Sequence, residues 1–350
     1  MTFEMYDPQF LAGVVEQLYD QPSFLRDKFF TNKKTFITPE VLIDVYKGTR
    51  KMTPFVHPNA SAPLTQRNGY HTERYVPAAV KEKRAVDVWQ LQQRLAGEIV
   101  MNSGKTPAER AVLQLARDIQ EMKNNLQRRE EWMAAQVMFT GKVEVKGEGV
   151  DDVIDFGFDG KESLAGEKRW GQSKADVFGD ILTWQTKVQK KSGYRPNTLI
   201  ASAETIDRIL RDENALKLFD NNGLNFGDNA YTDLGQGAAY CGRLAGQINV
   251  NLYSYDNYYE DPVTDEVKPF VPANTICLCN PFAQFSRLYG AMTYIERGDG
   301  DDIGKFKTVE GEYLTDSFST KDPDAQFVTI ESRPLFVPTQ VDSYIIATVG

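Results

Sequence analysis

Hydrophobic positions along this chain change their period several times, and each change marks an element. The clearest run covers residues 106–140. Thr106, Pro107 and Glu109 supply a capping residue, a proline at the first helical position and a glutamate three residues past the cap. Val112, Leu115, Ile119, Met122, Leu126 and Met133 then recur at spacings of three and four, with Arg129 as the one polar step, and Gly141 provides the stop. About 34 residues rising ~1.5 Å each make a rod of about 50 Å, well beyond an ordinary globular helix. A coiled coil is the other option, but Trp132, Ala134 and Ala135 dot the opposite face and no second such helix exists. A long helix lying across a sheet is predicted.

The first 40 residues alternate short apolar clusters (Phe10–Leu11, Val14–Val15, Phe24–Leu25, Phe29–Phe30, Phe36) with polar breaks. They predict one short helix at 8–19 and otherwise extended chain, too discontinuous for a core of its own, lying along something else such as a neighbouring subunit. Residues 37–47 read as a strand bounded by Pro39 and Gly48. Residues 52–79, punctuated by Pro54, Pro58, Pro63, Gly69 and Pro77, would be an unusually long loop. Alternation at Tyr70, Tyr75 and Val76 predicts a long, poorly packed two-stranded excursion, and a strand follows at 80–89.

Beyond the long helix, residues 142–159 alternate around Gly147 and Gly149, predicting a hairpin. Ser173 is placed as the cap of a helix reaching about Lys191, with Val177, Ile181, Trp184 and Val188 on one face. A buried strand at 197–201 precedes a helix opened by Ser202 and running through Ile206, Ile209, Leu210 and Leu216. Strands at 248–254 and 275–279 flank a loop rich in Asp, Glu and Tyr with its tip near Thr264 and Asp265, and the segment SRPLFVPTQVDSYIIATV is a final extended element.

Composition narrows the class. With 350 residues, 41% hydrophobic and 11% aromatic, the chain has the makings of a real core. No run approaches the ~18 consecutive apolar residues of a membrane helix, and MTFEMYDPQF lacks the features of a signal peptide. Synthesis in the cytoplasm is the expectation. Cys277 and Cys279 share a strand face and read as buried thiols, since Cys241 is distant and the only histidines are His57 and His71. The net charge of −9 argues against a sequence-specific nucleic-acid reader. It is unevenly spread: residues 1–150 carry 21 basic and 18 acidic groups, residues 151–350 carry 19 and 31. The two parts either attract each other between subunits or are ordinary solvated surface.

Catalytic constellations are missing. Gly235-Gln236-Gly237 lacks the third glycine of a dinucleotide loop, and the chain has no Walker lysine motif and no Gly-x-Ser-x-Gly elbow. Two loop histidines make a triad or zinc centre a poor reading. Asp299, Asp301 and Asp302 beside Gly298 and Gly300 faintly resemble a calcium loop but are better read as a solvated turn, and Asp151, Asp152 and Asp155 as a hairpin end. Arg128–Arg129 against Glu130–Glu131 read as a salt-bridged surface or a subunit contact. No catalytic residue, cofactor or metal is expected, and the chain is not expected to be an enzyme.

Four blocks, in order, resemble the lambda-type major capsid proteins of tailed bacteriophages. They are QPSFLRDKFFTNKKTFITPEV with PFVHP, then RYVPAAVKEKRAV, then LGQGAAYCGRLAGQINVNLYSYDNYY with FVPANTICLCNPFAQFSRLYGAM, and finally DPDAQFVTIESRPLFVPTQVDSYIIATV. The resemblance runs over almost the whole length. It implies an α+β, Hong Kong 97-like tailed-phage capsid fold. Mapped here, that is an N-terminal arm at 1–40, an extended loop at 46–85 and a peripheral domain at 86–174 with a spine helix at 106–140. An axial domain at 175–325 and a C-terminal strand at 326–350, returning to the peripheral domain, complete it. The implied function is self-assembly as hexamers and pentamers into an icosahedral phage head, the extended loop lying over the adjacent subunit. Lys51, Arg67, Arg74, Lys81 and Lys83, in or near that loop, are the candidate inter-subunit contacts. Implied partners are other copies of the chain, a scaffold, a portal and a decoration protein, with double-stranded DNA enclosed but not sequence-specifically bound and no membrane. Assembly in the host cytoplasm and residence in the virion follow from the same resemblance. The alternatives are a cellular nanocompartment shell of the same fold, which would hold cargo protein, and an enzyme, which would require a ligand site.

Overall fold

The computed structural model describes residues 23–46, 52, 55–57, 61, 64, 70–87, 107–147, 149–212, 232–281, 285–296, 305–321 and 324–350. The predicted helix at 8–19 and the acidic cluster at 299–302 lie outside these. Four α-helices are described: α1 (Phe24–Phe29), α2 (Pro107–Thr140), α3 (Val177–Ser192) and α4 (Ala203–Arg211).

Helix α2 is the predicted rod, 34 residues long, and its two halves serve different cores. Leu115, Ile119, Met122 and Leu126 are buried against Val328 and Ile330. Those two belong to strand Asp324–Ser332, the middle of a three-stranded antiparallel sheet with Leu314–Lys321 and Val80–Asp87. The spacing of three and four puts that stripe on one face, which the sheet covers. The second half, from Met133 to Phe139, enters the largest core, so the alanines of the supposed opposite face are buried as well. Gly141 ends the helix at φ 72°, its N–H donating to Val137 O. A Cβ there would stand 2.6 Å from the Phe158 ring, so glycine is required twice over.

Cores lie on both faces of a seven-stranded sheet. Its order is Lys161–Ser163, Ile345–Thr348, Thr275–Cys279, Thr198–Ala201, Val250–Tyr255, Ala238–Leu244, Thr232–Gly235. In Thr275–Cys279, Cys277 and Cys279 face the core shared with α2, while Ile276 and Leu278 face the core under α3 and α4. Two buried faces explain why TICLC and TLIA are continuous apolar runs rather than alternating ones. Both thiols are free and fully buried.

Several boundaries differ from the sequence expectation. Asp176, not Ser173, caps α3: its Oδ1 accepts from Gly179 N at 2.9 Å, and Gly193 closes the helix at φ 88°. Helix α4 ends at Arg211, and Leu216 lies outside the described residues. Residues 24–29, expected to be extended, form α1, and Leu25, Phe29 and Phe30 are wholly buried in the largest core. The described part of the arm therefore lies along its own chain. Strand Asn32–Thr35 continues it, pairing in parallel with Phe285–Tyr289, whose other neighbour is Pro334–Pro338. The tail is not one extended element: Asp324–Ser332, Pro334–Pro338 and Ile345–Thr348 enter three different sheets. The excursion is a two-stranded ribbon of Val41–Tyr46 with Tyr70–Tyr75, in register from Val41↔Tyr75 to Tyr46↔Tyr70.

Candidate functional site

Two features stand out: a buried polar joint that fixes the arm to α2, and apolar side chains that the chain leaves uncovered. At the joint, Glu130 and Glu131 are 1% and 3% exposed. The expectation of a charged surface is corrected at these two positions. Four consecutive residues sweep about 300° of a helix, so they cannot all face water when the helix lies in a core. Glu130 is four residues past Leu126 and three before Met133, and it is the polar member of the apolar stripe. Arg129 is half-buried with its guanidinium 5.0 Å from the Trp132 ring, and burial lowers its pKa. Arg128 is exposed and donates to Asn125 Oδ1 at 3.0 Å.

Glu131 caps α1 from 106 residues away: its Oε1 accepts from Leu25 N and its Oε2 from Arg26 N, each at 2.8 Å. Tyr255 Oη donates to Oε1 at 2.7 Å. Burial raises the Glu131 pKa against these three hydrogen bonds. Glu130 Oε2 meets Arg26 Nη1 at 3.2 Å, and Tyr289 Oη donates to Oε1 at 3.0 Å. Burial pushes Glu130 up to about 7, against the pull of Arg26 and with a further push from Glu312. Arg26 is 4% exposed. Burial opposes its charge, yet its bond to Asp27 and the charges of Glu130 and Asp27 hold it protonated. The Arg26 guanidinium thus binds the buried Glu130 and the partly exposed Asp27, while the Arg26 backbone N–H is held by Glu131.

The most exposed apolar side chains lie in the loop. Phe55 and Leu64 are 102% and 103% exposed, so neither touches its own chain, and Ile37, Leu42, Met52 and Val76 are largely exposed too. Of the five predicted contact residues, Lys51 and Arg67 lie outside the described residues. Arg74 is ion-paired with Glu40, Lys81 Nζ lies 2.8 Å from Glu331 Oε2, and Lys83 Nζ sits 5.2 Å from the Phe327 ring centre. These three are not gathered at one point, and each has a partner in its own chain.

Among the described residues, no group of three or more His, Cys, Asp or Glu side chains is placed to hold a metal. Among them also, no helix is long and apolar enough to cross a membrane. The carboxyls of Glu130 and Glu131 are buried, and their contacts tie α1 to α2.

Residues 7–349 match the family described as Phage major capsid protein E. The chain is similar to the major capsid protein of Escherichia phage lambda, at 26% identity over 343 residues and 96% of each chain. It is also similar to the major capsid protein of Enterobacteria phage P21, at 24% over 348 residues and 97% of each chain. Among solved structures, it is similar to the putative capsid protein of a prophage of E. coli CFT073. That likeness has a TM-score of 0.69 at 19% identity and covers 98% of this chain and 99% of the other. A phage-related protein of Bordetella bronchiseptica RB50 gives 0.53 at 11% identity, over 98% and 96%. The fold is that of phage capsid proteins, and with nearly the whole length matched the chain belongs to the phage major capsid protein E family.

Proposed function

We propose that this chain is the shell subunit of a tailed-phage head, clustering as hexamers and pentamers into a closed icosahedral particle around double-stranded DNA, without catalysis. The observation that carries the reading is the pair of fully exposed apolar side chains, Phe55 and Leu64, on an excursion that its own chain does not cover. Burying a large apolar side chain contributes about 1.5–3 kcal/mol, and a self-associating subunit supplies that burial from other copies. The acidic balance of the chain suits an enclosure that does not grip duplex DNA. The five basic candidates, Lys51, Arg67, Arg74, Lys81 and Lys83, belong to the same proposal as inter-subunit contacts, the last three through side chains that also have partners in their own chain. Scaffold, portal and decoration proteins, and assembly in the host cytoplasm, belong to the same proposal.

Electron microscopy of the purified, overexpressed chain tests it. Closed shells or sheets of hexamers are expected; a monomer at milligram-per-millilitre concentration would sink the reading. Particles recovered from phage-producing cells should contain DNA, and protein cargo in its place would move the chain to the nanocompartment class.

A further inference from the structure

The joint between α1 and α2 holds more acid than base, and its geometry singles out the group left short. Arg26 Nε meets Asp27 Oδ1 at 2.8 Å and Nη2 meets Asp27 Oδ2 at 3.3 Å, whereas Glu130 receives Nη1 alone, at 3.2 Å. Asp27 is 43% exposed and Glu130 1%, so the paired donors go to the carboxylate that water already serves. Glu131 needs no cation, because two backbone N–H groups and Tyr255 Oη fill its oxygens. Besides Arg26, Glu130 has Tyr289 Oη at 3.0 Å and Tyr313 Oη at 3.4 and 3.5 Å. With Asp27, Glu130 and Glu131 all ionised, one guanidinium would answer three anions. A buried carboxylate so poorly compensated favours its neutral form.

The surroundings do not repair the deficit. Strand Phe285–Tyr289 contributes Arg287, whose Nη1 lies 4.0 Å from Asp27 Oδ1, and Glu312 adds a further negative charge while pairing with Lys33 at 2.7 Å. Burial lifts Glu130 to about 7, against the pull of Arg26 and with a push from Glu312. Undocking α1 would carry Arg26 and Asp27 away and admit water, returning Glu130 to the ordinary carboxylate range. A carboxyl raised in the docked state favours docking below its ordinary value, and that contribution is lost as pH rises through the docked one. The rest of the arm follows α1: strand Asn32–Thr35 lies beside Phe285–Tyr289, with Thr35 Oγ1 donating to Glu310. Leu25, Phe29 and Phe30 are wholly buried and anchor α1 at every pH, so the proton sets how often the arm opens.

We infer that the junction of α1 with α2 is a proton-operated latch: with Glu130 protonated the arm stays closed on the body, and loss of that proton makes residues 23–35 open more often. The latch would govern the arm of the proposed shell subunit, yet it holds whether or not shells form, because every group in it belongs to one chain.

Hydrogen–deuterium exchange of the full-length, unassembled chain tests it, read on peptides covering residues 23–30 and corrected for the intrinsic pH dependence of exchange. From pH 5 to pH 8 the protection of these amides should fall about 70-fold in the wild type and stay level in Glu130→Gln. At pH 8 they should also exchange about tenfold or more faster than the amides of Thr275–Cys279, as an arm that opens by itself requires. Asp27→Asn, at an exposed position, keeps an oxygen for Ser23 N and leaves the guanidinium to Glu130. The fall should shrink there to about a third or less. Level protection in the wild type, an undiminished fall in either variant, or exchange of arm and body at one rate would each overturn the latch. Should Glu130→Gln fail to fold, the wild type and Asp27→Asn decide the matter alone.

Discussion

Replacing Glu130 with Gln separates the cost of a buried charge from everything else at the joint. The side chain is 1% exposed, between Arg26, Tyr289 and Tyr313, with Glu312 and Arg287 near enough to act on it. Its folded-state pKa is about 7 against an ordinary 4.5. A raised carboxyl contributes stability that is fully present below the unfolded value and is lost as pH rises through the folded one. From pH 5 to pH 8 the wild-type chain should therefore lose about 2.5 kcal/mol that the Gln variant keeps. Urea midpoints of unassembled wild-type and Glu130→Gln chains at pH 5, 6, 7 and 8, followed by circular dichroism, read the gap directly. Any fixed difference, such as a weaker bond to Arg26, shifts all four points equally and drops out. A gap that changes by less than about 0.5 kcal/mol across the range would refute the reasoning and place Glu130 in the ordinary carboxylate range.

Glu131→Ala removes the acceptor of two backbone N–H groups and of Tyr255 Oη, all buried, and should cost about 3 kcal/mol; a thermal melt gives the loss, and limited proteolysis should cut near residues 23–30 first. Arg26→Met strands Glu130 in the core and should destabilise by about 3–5 kcal/mol at pH 8. Adding Glu130→Gln should recover a large part of that, and purely additive losses in the double variant would show the two side chains to be uncoupled. Gly141→Ala combines a left-handed backbone with a Cβ 2.6 Å from Phe158, so it should destabilise the chain by more than the ~1 kcal/mol that a glycine-to-alanine change at a permitted site adds, read as a lower melting temperature.

What the sequence made legible was governed by period. Helix α2 announced itself through Leu115, Ile119, Met122 and Leu126, whose spacing needs only one flat partner, and a sheet supplies it. The joint was hidden for two reasons. Arg129 and Glu130 both lie within three to four residues of Leu126 and Met133, so periodicity alone cannot say which fills the polar step; burial picks Glu130. Helix α1 is six residues long, too short for a periodic signal, and its N-terminal N–H groups are capped by Glu131, far away in sequence. No local signal encodes such a cap. The loop was legible as an anomaly, a stretch without a core, but its exposed Phe55 and Leu64 gain meaning only when the fold shows that nothing of its own covers them.

The placement of Ile345–Thr348 sets a timetable for the chain. That strand is wedged between Lys161–Ser163 and Thr275–Cys279, whose paired residues lie 185 and about 70 positions earlier. Until it has left the ribosome, Lys161–Ser163 has no strand to join and Thr275–Cys279 presents a bare edge, open to mispairing with any extended chain nearby. A subunit still being translated therefore offers an unfinished body until Ile345–Thr348 has emerged to fill that gap.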